Sequence, residues 1–166
     1  RFIQLAHKFC VKIFAYVGLN SYNGAYSIKH PEARMKPPAH QGFLNGFGSL
    51  CLSHPGVHDY IVESMEQIAR LGFDGYTLEE SEEGFWFCEC DECKKKTPSD
   101  WYVMLLNDID EALTAIGNTA KLVFILYTDT LRPPVTERLK HPERFILLSA
   151  RAINYNKGYE KVEYDG

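Results

Sequence analysis

Four β-rich runs alternate with helix-patterned segments along this chain, and that alternation narrows the possible folds to parallel pairings joined by right-handed crossovers. The first run, Val11-Lys12-Ile13-Phe14-Ala15-Tyr16-Val17, follows a helical tail over residues 2–9 and stops at Gly18 and Asn20. A long segment, residues 21–53, is rich in glycine, proline, asparagine and histidine and reads as a loop. Ser53-His54-Pro55 then opens an amphipathic helix in which Val57, Ile61, Met65, Ile68 and Leu71 recur at helical spacing until Gly72. Residues 73–78 form a short second strand. Thr97-Pro98-Ser99-Asp100 caps the next helix, with Trp101, Leu105, Ile109, Leu113 and Ile116 on its buried face and Gly117-Asn118 at its end. Residues 121–127 are an almost continuous apolar strand. Arg132-Pro133-Pro134 turns the chain, residues 135–140 read as a short helix, and residues 144–150 give the fourth strand.

Two architectures fit parallel strands of this order. A doubly wound sheet places a glycine-rich phosphate loop after its first strand, but Gly18-Leu19-Asn20 leads into a long loop without that pattern. A β/α barrel gathers polar residues after every strand at one face. Here such residues follow each strand: Asn20, Tyr22 and Asn23; Glu79 to Glu83; Thr128 and Asp129; Arg151 and Asn154. The expected fold is therefore α/β, a partial (β/α)8 TIM barrel of about four parallel strands with intervening helices, and residues 1–166 are a fragment of one such domain. Four strands would leave open edges, so the remainder of the barrel or further domains of a longer chain are expected partners. The start at Arg1 reads as cut from something longer. Any signal peptide would have been lost with the missing part, which leaves localisation unknown.

Composition removes several alternatives. The net charge of −4 and the lack of a basic stripe interleaved with aromatics argue against nucleic acid as a partner. No stretch reaches the roughly 20 apolar residues that a membrane helix needs.

The chemistry concentrates in Glu79-Glu80-Ser81-Glu82-Glu83, at the end of the second strand. Glycoside hydrolysis usually needs one protonated carboxyl to assist the leaving group and one ionised carboxylate as nucleophile or base. Crowded carboxylates raise one another's pKa, which suits a general acid. Strand alternation turns Glu79 and Glu80 in different directions, so one of them faces the barrel mouth. The catalytic candidates are Glu80, Glu82 and Glu83, and the substrate-binding candidates are Asn20, Tyr22, Glu79, Trp86 and Asp129. Tyr22, Tyr26, Phe85 and Trp86 lie in strand-end loops where aromatic rings stack on sugars, with Trp86 the preferred platform. Asp74 is expected to make a structural hydrogen bond.

Three of the five cysteines, Cys88, Cys90 and Cys93, crowd into Cys-x-Cys-x-x-Cys. That spacing suits metal binding or reduced thiols better than a disulfide framework. Cys51, His54 or a water would complete a structural zinc site, and no cofactor is required for catalysis.

The stretch from Gly72 to Gly84, the segment Phe87-Cys-Glu-Cys-Asp-Glu-Cys-Lys94 and the helix opening at Ser99-Asp100 together resemble an uncharacterised family of the glycoside-hydrolase TIM-barrel clan, a domain of unknown function. The strand before Pro133-Pro134 and the strand over residues 145–148 look similar to the same family. Ser81-Glu82-Glu83-Gly84 also resembles the Ser-Glu-Gly segment of α-glucuronidases, with one extra glutamate, and β-N-acetylhexosaminidases place their acid similarly after a mid-barrel strand. These resemblances imply a general acid at Glu82 or Glu83, with Glu80 next. The Asp-Glu pair of the hexosaminidases is absent, since Glu79-Glu80 stands in its place, which argues against their substrate-assisted mechanism.

The leading functional expectation is hydrolysis of O-glycosidic bonds in a polysaccharide or glycan, with a carbohydrate as substrate. The alternative is a catalytically silent barrel that binds carbohydrate or serves as a scaffold with a zinc-stapled loop. A metal-dependent hydrolase with Cys and Asp ligands ranks last.

Overall fold

The computed structural model describes residues 2–20, 23–36, 49–80 and 87–150. Its helices are α1 (Phe2–Lys8), α2 (Gly24–Lys29), α3 (Pro55–Ala69) and α4 (Pro98–Ala115), and its strands are β1 (Phe14–Gly18), β2 (Gly75–Glu79), β3 (Lys121–Leu126) and β4 (Phe145–Ser149). The strands form one parallel sheet in the order β1-β2-β3-β4. Consecutive order with every pair parallel means that successive crossovers of one hand stack their helices on the same side. A doubly wound sheet reverses its order and is covered on both faces. This is the α/β arrangement of a partial TIM barrel.

Side-chain parity shows which face the helices cover. Tyr76 and Leu78 of β2, Leu122 and Phe124 of β3, Ala15 of β1 and Phe145 of β4 join one core with the inward residues of α3 and α4. From α3 these are Val57, Ile61, Met65 and Ala69, and from α4 they include Leu105, Leu106, Ile109 and Leu113. The opposite parity places Tyr16, Thr77, Val123 and Ile146 in one row across the sheet, with Gly18, Glu79, Ile125 and Leu148 in the next. Tyr16 is 59% exposed, and Ile146 and Leu148 are also exposed. At the lower end of this face the Phe14 ring lies over Gly75, where a Cβ would stand 2.3 Å from it.

Several boundaries differ from expectation for identifiable reasons. β1 starts at Phe14 rather than Val11, because the Asp74 carboxylate takes the Ile13 amide (2.7 Å) and His7 Nε2 (2.8 Å) and holds the chain just before the strand. This is the structural hydrogen bond expected of Asp74. Within the expected loop of residues 21–53, α2 forms, followed by a 3-10 turn over Pro31–Ala33. The Tyr26 ring stacks on Tyr60 of α3 at 4.0 Å and its hydroxyl donates to the Gly56 carbonyl at 3.1 Å. Tyr26 thus joins α2 to α3 rather than offering a free wall to sugar.

The expected helix over residues 135–140 is absent. The Asp100 carboxylate accepts the amides of Thr136 (2.8 Å) and Glu137 (2.9 Å), while Asn107 donates to the Arg138 carbonyl and accepts from the Lys140 amide, both at 3.0 Å. Backbone groups bound to α4 in this way are withdrawn from an i to i−4 ladder. On α3, Ala69 takes the inward place while Leu71 is 64% exposed. On α4, Ile116 is exposed and Trp101 is half-buried. Positive φ at Gly72 (85°) and Gly117 (77°) follows the ends of α3 and α4, where both were expected to stop. Among the described residues, no helix is long and apolar enough to cross a membrane.

Candidate functional site

Parallel strands bring all their C-terminal ends to one edge, and at this edge one tyrosine contacts two of the sequence-predicted site residues, Asn20 and Glu80, and lies within electrostatic range of two more, Glu79 and Asp129. The Tyr102 hydroxyl, on the first turns of α4, donates to the Glu80 carbonyl at 3.0 Å. It also contacts the Asn20 side chain and lies in the field of the Glu80, Asp129 and Glu79 carboxyl groups. Tyr102 is fully enclosed, and burial first, then the Glu80 carboxylate, push its pKa well above the ordinary range. It therefore acts as a fixed hydrogen-bond donor. The sequence signal for it was weak, since it sits one position off the expected stripe of Trp101, Leu105 and Ile109.

The two glutamates at the end of β2 diverge, as alternation requires. Glu80 continues the parity of Tyr76 and Leu78 toward the helix layer and is 2% exposed. Glu79 continues the parity of Thr77 on the face away from α3 and α4. It is 8% exposed, and its Oε2 is buried without a hydrogen-bond partner among the described residues. Asp129 lies in the one-turn 3-10 helix Thr128–Thr130 directly after β3, and burial raises its pKa. Asn20 is buried at the end of β1 and its Oδ1 accepts the Leu50 amide at 2.8 Å. Glu82, Glu83, Tyr22 and Trp86 lie outside the described residues, as do Phe85, Arg151 and Asn154.

Leu50 leads directly to a second constellation. Residues 33–36 pair antiparallel with residues 49–51, through an Arg34–Leu50 bridge, a Met35 amide to Ser49 carbonyl bond (3.0 Å) and a Cys51 amide to Ala33 carbonyl bond (2.8 Å). The loop after β2 joins this pairing when the Glu89 amide donates to the Lys36 carbonyl at 2.8 Å. The junction brings the sulfurs of Cys51, Cys88, Cys90 and Cys93 within 4.8 Å of one another. Cys51 Sγ stands 3.6 Å from Cys90 Sγ and 3.7 Å from Cys93 Sγ. All four thiols are free, and the remaining cysteine, Cys10, is exposed at the end of α1.

These thiols perturb one another strongly. Contacts with Cys88 and then Cys93 hold the Cys51 thiol far below its usual range, while the contact with Cys51 pushes Cys88 up to about 11. The cluster can hold a metal ion such as zinc. Cys51 takes the fourth position that sequence reading left open between it, His54 and water. Among the described residues the cluster contains neither His54 nor a carboxylate, so the ligand set of Cys and Asp, ranked last from the sequence, gains no support there.

Fold and site together define an α/β domain of the partial TIM-barrel type, with buried carboxyl groups at the C-terminal sheet edge and a four-cysteine centre beside them. No family model matches the chain, and no curated protein matches it. Among solved structures the chain is similar to the debranching enzyme of Nostoc punctiforme in its native form, with 16% identity and a TM-score of 0.44 over 78% of this chain and 28% of that one. The chain thus spans under a third of that enzyme's length.

Proposed function

We propose that this chain is part of a glycoside-hydrolase-like barrel that cleaves O-glycosidic bonds of a polysaccharide or glycan by carboxylate acid/base catalysis. The observation that carries the reading is Glu79. Its Oε2 is buried without a partner among the described residues, which costs about 1–3 kcal/mol or more and calls for a functional explanation. Its place at a strand's C-terminal end, on the face away from the helices, is where barrel enzymes mount catalytic groups. Asp129 follows the neighbouring strand, and its raised pKa suits a proton donor.

In this scheme the protonated carboxyl of Asp129 gives its proton to the glycosidic oxygen as the bond to the anomeric carbon breaks. Glu79 supplies the negative charge that activates water or attacks that carbon. Glu82 and Glu83 follow on the same connection and compete for the acid role, with Glu80 holding the strand end from the helix side. The exposed apolar rows of Tyr16, Ile146 and Leu148 fit a face closed by further strands of the same barrel.

The test is reducing-sugar release from a panel of polysaccharides and glycans by the protein with its complete barrel. Glu79→Gln, Glu82→Gln, Glu83→Gln and Asp129→Asn are compared with the parent. Loss of the true acid or base should lower turnover by about 100-fold or more. Full turnover in all four variants would sink the assignment.

The burial of Glu80 against the helix layer favours a second reading, a catalytically silent carbohydrate-binding or scaffold barrel. Oligosaccharide binding without released sugar, abolished by Trp86→Ala, would select it.

A further inference from the structure

The geometry points to a structural zinc ion held tetrahedrally by the thiolates of Cys51, Cys88, Cys90 and Cys93, which staples the β1–α3 connection to the β2–α4 connection. This goes beyond the proposed hydrolase and does not depend on it.

The sulfur spacing is the first argument. A zinc–sulfur bond is about 2.3 Å, so the edge of a regular ZnS4 tetrahedron is about 3.8 Å. The pairs Cys51–Cys90 at 3.6 Å and Cys51–Cys93 at 3.7 Å are close to that edge. A disulfide needs its sulfurs at about 2.05 Å. A polynuclear iron–sulfur cluster would hold its thiolates farther apart than one ion does, because inorganic iron and sulfide would stand between them.

The surroundings are the second argument. Metal-bound thiolates carry extra negative charge and are oriented by hydrogen bonds from neighbouring groups. Here the Cys93 amide donates to Cys90 Sγ at 3.3 Å, within the Cys-x-x-Cys turn, and the Lys36 amide donates to Cys88 Sγ at 3.3 Å from the facing segment. The Ser53 hydroxyl lies 3.0 Å from Cys51 Sγ and 3.4 Å from Cys90 Sγ. Met35, Phe87 and Trp101 pack around the sulfurs, and the Trp101 indole N–H donates to the Cys93 carbonyl at 3.0 Å. Apolar side chains pack against the cluster, and hydrogen-bond donors reach its sulfurs.

Four thiolates fill all four positions of zinc and leave none for water or substrate, so the ion is structural rather than catalytic. Its binding leaves all four sulfurs as thiolates and releases the protons of those still protonated, with no change of oxidation state. Position gives the staple its purpose. Cys51 lies just before α3 and Cys93 just before α4, so the ion fixes the starts of the two helices that cover the sheet. Cys88 and Cys90 lie on the same β2–α4 connection as Cys93.

Metal analysis of the full chain, expressed and purified with zinc present, should find one zinc per chain. Replacement by cobalt should give the intense visible bands of tetrahedral geometry and a sulfur-to-cobalt charge-transfer band. Cys10→Ser should keep the ion, Cys51→Ser and Cys90→Ser should lose it, and Ser53→Ala should weaken it about 10-fold. Removing zinc with a chelator should speed tryptic cleavage at Lys94, Lys95 and Lys96, on the ligand turn. The site is overturned if the native chain purifies without zinc, if iron is bound instead, if the cobalt spectrum is octahedral, or if the cysteines are recovered as disulfides. Unchanged cleavage after chelation would overturn the staple. None of these readouts depends on sugar release, so failure here and failure of the hydrolase reading are distinguishable.

Discussion

The Tyr102 hydroxyl of α4 donates to the Glu80 carbonyl at 3.0 Å, and the helix layer thereby holds the end of β2 where the acidic run begins. The Asn20 amide donates to the same carbonyl at 3.0 Å, so that oxygen has two donors. Tyr102→Phe removes one of them while preserving the ring contacts with Phe87 and Phe124. The expected cost is about 1 kcal/mol, the net worth of a buried hydrogen bond whose acceptor keeps a second donor. Urea unfolding checks this, with a lower midpoint and an unchanged slope. An unchanged midpoint would mean that the bond adds nothing to stability.

Asp129 supplies a prediction in which stability and activity move in opposite directions. Burial raises its folded pKa above the unfolded value of about 3.9, so the folded chain holds this proton more tightly than the unfolded one. Stability from this group is fully present below the unfolded pKa and declines as pH rises through the folded pKa. Asp129→Asn removes the ionisation and should leave the chain as stable as the parent, or more stable, at neutral pH. The same variant should lose the alkaline limb of the kcat/KM profile along with most turnover. A variant that keeps both turnover and that limb would take Asp129 out of the reaction.

Core packing gives a more ordinary expectation. Leu105 is fully buried between α4 and the sheet. Leu105→Ala should cost about 2–5 kcal/mol in chemical denaturation, whereas truncating Leu71, which stands in solvent beyond α3, should cost far less. Equal losses at the two sites would contradict the helix orientation described above.

The parts of this fold that were legible in the sequence are those written in local pattern. Strand–helix alternation announced the parallel sheet, the Thr97 to Asp100 cap announced α4, and glycines marked the ends of α3 and α4. The misread parts depend on distant partners. Residues 135–140 have the composition of a short helix, but Asp100 and Asn107 claim their backbone groups from more than 30 residues away. α2 is only six residues long, and its anchor, Tyr60, lies on another helix. The thiol cluster was half legible. Cys88, Cys90 and Cys93 form a local motif, but Cys51 reaches them through the pairing of residues 33–36 with residues 49–51, which no spacing rule reveals. Tyr102 was missed because its role comes from the ends of β1, β2 and β3 meeting above it.

Asp100 ties the local cap to that distant segment, and its charge makes the tie measurable. Its side chain is buried, accepts the Thr97 hydroxyl at 2.7 Å and the Thr97 amide at 3.2 Å to close the capping box, and receives the Thr136 and Glu137 amides on its other oxygen. Burial alone would raise its pKa, but the Glu137, Thr97 and Thr136 donors outweigh it and hold the carboxyl well below the usual range. A depressed folded pKa contributes stability that is present above the unfolded value of about 3.9 and is lost as pH falls through the folded pKa. Asp100→Asn turns an all-acceptor group into one that presents N–H to N–H, and it should cost about 1.5–3 kcal/mol at neutral pH. That deficit should shrink in urea titrations run at progressively lower pH, because the parent then protonates the same carboxylate. A deficit independent of pH would show that shape rather than charge at Asp100 holds residues 136 and 137 against α4.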